Sequence, residues 1–329
     1  MKRRDFFCLV GGSAAWPLAA RAQQPERMRR IGVLTSLLES DPQAQSESAA
    51  FERGLREHGW IPGSNIQIVY RLSGADINRA RTYAHDLVEL HPEVILSRST
   101  PQTAALQQET NTIPIVFVVV ADPIGSGFAK SLARPGGNIT GFTNLEASMG
   151  GKWLQLLKDV SPDVARVAFI FNPKTAPYAE SFVRSAETAA RSLAMEMIAT
   201  PIQNSSEIED KIAHFARQPG GSLVGITDSF IIEHRDQIIS LAVRYRLPAI
   251  YPYRYFAAGG GLLSYGVDTP DQLRQSASYI DQILRGTAVT DLPVQLPSKF
   301  ELAINLKTAK ALGITIPSSL LAGADEVIE

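Results

Sequence analysis

The chain has 329 residues, 45% hydrophobic and 20% charged, with 32 Lys and Arg against 33 Asp and Glu and one cysteine. This balance carries no electrostatic footprint for nucleic acid. Cys8 lies in a segment read below as removable, so disulfides, a cysteine nucleophile and cysteine-ligated metals are excluded from the mature product.

Residues 1–22 read as an export signal. Met1-Lys2-Arg3-Arg4-Asp5-Phe6-Phe7 is a basic opening, Cys8 to Ala20 is a short run of apolar and small residues, and Ala20-Arg21-Ala22 offers the small residues a signal peptidase reads. The run falls short of the roughly 20 residues of a membrane helix, and Gly11, Gly12 and Pro17 interrupt it. Paired arginines followed by Asp and Phe favour the twin-arginine route, with the general secretory route as the alternative. Cleavage after about Ala22 leaves a product starting at Gln23, with 28 basic and 32 acidic residues. Nothing beyond it is apolar for long enough to span a bilayer.

From Arg30 onward, short β-branched runs alternate with amphipathic stretches in a βαβα order. Strands are predicted at Arg30–Thr35, Ile66–Tyr70, Val94–Leu96 and Ile115–Val120. Ala49, Ala50, Phe51 and Leu55 mark the first helix, and Ile77, Ala80, Ala84, Leu87 and Val88 the second. Thr100 reads as the N-cap of a third helix, with Pro101 at its first position. The run Ile115-Val-Phe-Val-Val-Val120 is apolar on both faces and belongs inside a parallel sheet.

After the turn cluster Arg134-Pro-Gly-Gly-Asn138 and a short strand at Ile139–Phe142, the alternation restarts. Strands are expected at Val167–Phe171, Met195–Thr200, Ser222–Thr227, Pro248–Tyr251 and just before Tyr265. Helices are expected near 151–160, 178–193, 206–217 and 238–245. The fold class is therefore α/β, with two Rossmann-like lobes built on parallel sheets.

Catalytic signatures are mostly missing. Gly150-Gly151-Lys152 lacks the spacing of a phosphate loop, and Gly220-Gly221-Ser222 does not continue as a nucleophile elbow. The five histidines show no metal-ligand spacing, so neither metal nor cofactor is expected. What remains are polar residues just past strand ends, where open parallel sheets bind ligands. These are Ser36, Ser99, Thr100 and Asp122 in the first block and Asn172, Tyr178 and Asp228 in the second. The helix start at Pro101, with the Ser99 and Thr100 hydroxyls, suits a carboxylate, and Asp122 or Asp228 suits an ammonium. Tyr251, Tyr253 and Tyr255 with Phe256 either stack on a planar ligand, with Tyr253 as the contact, or pack a hinge.

Four segments then acquire a joint meaning: 114–123 (PIVFVVVADP), 132–143 (LARPGGNITGFT), 252–261 (PYRYFAAGGG) and 300–313 (FELAINLKTAKALG). They closely resemble the ABC-transporter substrate-binding protein family of the tryptophan-binding type. The resemblance implies a type I periplasmic binding protein with two lobes hinged by three crossovers. It would place residues 30–144 plus about 252–288 in the N-terminal lobe, and 145–251 plus about 289–329 in the C-terminal lobe. It also implies a periplasmic monomer that closes on a small solute, such as an aromatic or branched amino acid, and delivers it to an ABC permease in the inner membrane. No cysteine follows the apolar signal core, so a lipid anchor is not expected. The alternatives are an exported hydrolase using Asp122 and Asp228 as acid and base, and a ligand-sensing partner of a membrane receptor. A DNA-binding repressor of the same fold would need a helix pair before the first strand.

Overall fold

The βαβα alternation folds into two sheets in a computed structural model that describes residues 28–146 and 148–329; the expected export signal at 1–22 lies outside the described residues. The first half supplies β1 (Arg29–Thr35), α1 (Pro42–Glu57), β2 (Ile66–Leu72), α2 (Ile77–Glu89), β3 (Val94–Arg98), α3 (Thr100–Glu109), β4 (Ile115–Val120) and β5 (Ile139–Thr143). Its five strands are all parallel, in the order β2-β1-β3-β4-β5. Helices on both faces explain why β3, β4 and β5 are buried at every residue.

The second half supplies α4 (Met149–Val160), β6 (Arg166–Phe171), α5 (Ala179–Ser192), β7 (Glu196–Pro201), α6 (Glu207–Ala216) and β8 (Gly221–Gly225). It continues with α7 (Ser229–Glu233), α8 (Arg235–Arg244), β9 (Ala249–Tyr251), α9 (Arg254–Ala258) and β10 (Leu263–Gly266). After α10 (Thr269–Leu284), the chain ends with β11 (Glu301–Asn305), α11 (Leu306–Leu312), α12 (Ser318–Ala322) and β12 (Glu326–Ile328). The second sheet has seven strands in the order β12-β11-β10-β9-β8-β6-β7, and only the β10–β11 pairing is antiparallel.

The chain passes between the sheets three times, and the pairings set the positions. Leu263 and Ser264 of β10 pair with β9, so residues 252–266 stay with the second sheet and not, as expected, with the first lobe. The crossing comes at 267–268, where Asp268 accepts from the Asp271 N–H and caps α10. That helix lies along α1, and a Cβ on Gly54 of α1 would run into the Arg274 carbonyl oxygen, so only glycine permits the close approach. Residues 289–295 also belong with the first sheet, because the Thr140 hydroxyl donates to Leu292 O at 2.7 Å and Gln295 bridges to Phe142. The third crossing therefore follows Gln295, a few residues later than the sequence suggests.

Two backbone irregularities sit at strand ends of the first sheet. Val119 has φ +58°, rare for a β-branched residue, at a register shift in β4. Its N–H donates to Gln272 Oε1 at 3.2 Å, while Gln272 Nε2 donates to Thr143 O at 2.6 Å. The second irregularity corrects an expectation. Ser99, with φ +90°, occupies the cap position of α3, and Thr100 and Pro101 are already helical. Ser99 is held there by its N–H on Val118 O and by the Thr103 N–H and hydroxyl on its carbonyl.

Candidate functional site

Loops that follow the strands of one sheet meet loops that follow the strands of the other. On the first-lobe side, Ser36, Ser99 and Thr100 are all buried. The Ser36 hydroxyl accepts from Arg98 Nη1 at 2.9 Å, and the Arg98 Nε and Nη2 reach the Glu47 carboxylate at 2.6 and 3.1 Å. Arg98 is 1% exposed. Burial works against its charge, but the Glu47 carboxylate outweighs this and holds the guanidinium above its ordinary pKa. The pair thus brings no net charge to the site. Among the described residues the Ser99 and Thr100 hydroxyls are not committed to a protein partner, and the first turn of α3 presents N–H groups that no helix carbonyl reaches.

On the second-lobe side, Asp228 is 2% exposed and caps α7. Its Oδ1 accepts from the Thr175 hydroxyl at 2.5 Å and the Phe230 N–H at 3.0 Å, and its Oδ2 accepts from the Asn172 N–H at 2.7 Å. Burial pushes its pKa up to about 6, against the lowering effect of these bonds. Asn172 is consumed locally: Nδ2 donates to Gln203 O and Oδ1 accepts from the Lys174 N–H. The Tyr178 hydroxyl donates to Thr227 O. Tyr253 is 2% exposed, and its hydroxyl lies 2.5 Å from both Thr227 Oγ1 and Asn144 Nδ2. Burial raises the Tyr253 pKa to about 12, so the phenol keeps its proton at neutral pH.

The aromatic residues stack mainly on one another. Tyr251 and Phe256 are 4.9 Å apart between ring centroids, Tyr255 and Phe256 5.3 Å, and Tyr253 and Tyr255 5.4 Å. One face of Tyr253 is therefore already covered. The Tyr255 hydroxyl is buried with no hydrogen-bond partner among the described residues.

Alongside the Asn144 amide, two further contacts clasp the lobes. Arg235 at the start of α8 forks onto Asp41 before α1, with Nη1···Oδ2 2.6 Å and Nη2···Oδ1 3.0 Å, and its guanidinium lies over the Tyr255 ring. Glu233 accepts from the Ala75 N–H at 2.6 Å. Ser36, Ser99 and Thr100 are thus grouped in one lobe, and Asn172, Tyr178, Asp228 and Tyr253 in the other. Asp122 differs from them. It is partly exposed, and its carboxylate accepts the Gly125 N–H at 2.8 Å within its own turn. Sequence reasoning missed Arg98, Asn144, Thr227 and Arg235. The first is hidden in a run that reads as a polar turn, and the others depend on partners distant in sequence.

Comparison with known proteins agrees with this architecture. A family model described as ABC transporter substrate binding protein matches residues 31–328. A tyrosine-binding protein of Clostridioides difficile is 26% identical over 287 residues, covering 87% of this chain and 81% of that protein. A domain of Streptococcus pneumoniae solved in complex with L-Trp superimposes with a TM-score of 0.82 at 25% identity, over 91% of this chain and 99% of that one. A conserved domain protein from Vibrio cholerae gives 0.85 at 26% identity, over 92% of this chain and all of that one. The ligand-free, open structure of an adhesive substrate-binding protein from Clostridium difficile gives 0.68 at 23% identity, over 91% and 99%.

Proposed function

Because the chain belongs to the ABC transporter substrate-binding protein family, we propose that it is the solute receptor of an importer and binds an aromatic α-amino acid between its lobes. One observation carries the reading: strand-end polar groups of both sheets are buried against each other, and several buried polar atoms among them, Asn144 Oδ1, Ser229 Oγ and the Tyr255 hydroxyl, lack a partner among the described residues. A bound solute supplies what is missing and favours the closed arrangement. The carboxylate lies at the start of α3, with the Ser99 and Thr100 hydroxyls. The names of the tyrosine-binding relative and the L-Trp complex point to the same ligand class.

Family membership supports delivery of the solute to a membrane permease. Export to the periplasm through the signal at residues 1–22, cleavage after about Ala22, and a free monomeric product without a lipid anchor complete the proposal. The hydrolytic alternative is the weaker one, since Asp228 is spent on three local hydrogen bonds and Asp122 on its own turn.

The test is calorimetric titration and thermal unfolding with the twenty amino acids. L-Trp or L-Tyr at 100 times its dissociation constant should add about 2.7 kcal/mol of stability. A panel without any binder among them, alongside turnover of an ester or glycoside substrate, would refute the proposal.

A further inference from the structure

Asn144 follows β5 in the first crossing, and its N–H donates to Val120 O of the first sheet at 3.2 Å. Its side chain reaches the other lobe: Nδ2 donates to Thr227 Oγ1 at 2.8 Å and to the Tyr253 oxygen at 2.5 Å. Both amide hydrogens are therefore used. The two hydroxyl oxygens are 2.5 Å apart, which needs one hydrogen between them. Two hydroxyls bring two hydrogens, and only one is consumed. Asn144 Oδ1, in a side chain 2% exposed, accepts nothing from the described residues. The reversed amide would supply both hydroxyls with an acceptor but leave no hydrogen between the two oxygens, so the orientation is fixed by the network.

The trio thus presents one uncommitted acceptor and one uncommitted hydroxyl donor, all neutral and buried. An unmet acceptor in such a place costs free energy until a donor arrives. We propose that Asn144 Oδ1 receives the amino group of the ligand, with Thr227 and Tyr253 holding the amide in position. This rests on the reading of the cleft as an amino-acid site and deepens it. Geometry supports the pairing. Asn144 follows β5 and Ser99 follows β3, two strand spacings or about 10 Å apart. That gap is spanned by an α-amino acid head group with a hydrogen bond of about 2.9 Å at each end. The ammonium is then recognised by a neutral oxygen, because the carboxylates nearby are already engaged: Glu47 by Arg98, Asp41 by Arg235, and Asp228 by its three donors.

The experiment titrates wild type, Asn144→Leu and Asn144→Asp with L-Tyr and L-Trp. It repeats the titrations with their deamino counterparts, 3-(4-hydroxyphenyl)propanoate and indole-3-propanoate. Wild type should prefer the amino acid by about 10- to 100-fold, the worth of a hydrogen bond to a charged group. Asn144→Leu should lose most of that preference by weakening the amino acid far more than the deamino acid. Asn144→Asp keeps an acceptor for the amine but leaves no hydrogen between the Thr227 and Tyr253 oxygens, so both ligands should bind more weakly while the preference for the amino acid persists. If Asn144→Leu, shown folded by a cooperative melt, still prefers the amino acid as wild type does, the assignment is wrong. Equal loss of the preference in Asn144→Asp would also overturn it. Failure of wild type to bind either amino acid would instead reject the functional reading on which it rests.

Discussion

Replacing Arg235 by Met should weaken ligand binding while leaving the unliganded lobes intact. The Arg235–Asp41 pair joins residues on opposite sides of the cleft, with bidentate geometry and side chains 18% and 10% exposed. It is neither a solvated surface pair, worth at most about 1 kcal/mol, nor a fully buried one whose disruption costs about 3–5 kcal/mol. An intermediate value of about 1–2 kcal/mol converts to a dissociation constant roughly 5- to 30-fold higher. Because the pair forms only with the lobes together, the loss should appear mainly as faster dissociation. Asp41 also caps α1 through the Gln43 N–H, so Asp41→Asn is the suitable partner change, since asparagine caps equally well. Titration of L-Trp or L-Tyr into the two single variants and the double variant isolates the pair from the loss of the Tyr255 contact. If the coupling is near zero, or if Arg235→Met destabilises the unliganded protein as much as it weakens binding, the pair is not a clasp on closure.

Asp228 carries a pH signature. Burial raises its pKa to about 6 in the fold from the ordinary 3.8, so its contribution is fully present below about pH 3.8 and lost as pH rises through about 6. The unfolding free-energy difference between wild type and Asp228→Asn should therefore change by about 2 kcal/mol between pH 4 and 7, with wild type relatively more stable at the acid end. Denaturant melts across that range check it, and a constant difference would contradict the burial argument. Removing one half of the Arg98–Glu47 pair by Glu47→Leu should cost about 3–5 kcal/mol, because it leaves a guanidinium 1% exposed without its counter-charge. Urea melts of this variant and of a paired Glu47→Leu, Arg98→Met double variant, expected to recover part of the loss, measure that cost.

The two-sheet plan was legible because parallel strands covered on both faces must be apolar throughout, and Ile115–Val120 is buried along its whole length. Helix α10 was not, for a physical reason: its buried face includes Thr269, Gln272 and Ser276, which break the apolar stripe a helix normally shows. Gln272 is polar because it serves the backbone of β4 and β5. Among the candidate site residues, Ser36, Ser99, Thr100, Asn172, Tyr178 and Asp228 follow strands and could be listed from the sequence pattern alone. Their chemistry could not, because whether a strand-end residue has a free atom depends on partners elsewhere in the chain. Asp228 looked available but is engaged by Asn172, Thr175 and Phe230, while Asn144, a plain residue after a short strand, keeps an open acceptor. Arg235 and Asp41 are separated by 194 positions, and no local motif announces that they meet.

The Gln272 amide, which ties Val119 to Thr143, also decides where the molecule can bend. With Thr143 O fastened to α10 and the Asn144 N–H fastened to Val120, the first connecting segment is rigid up to Asn144, so its pivot lies beyond that residue. Asn144 accordingly travels with one half of the protein, and Thr227 and Tyr253 travel with the other. Any opening motion pulls the amide off both hydroxyls at once, which makes that small cluster an internal gauge of how far the jaws have parted.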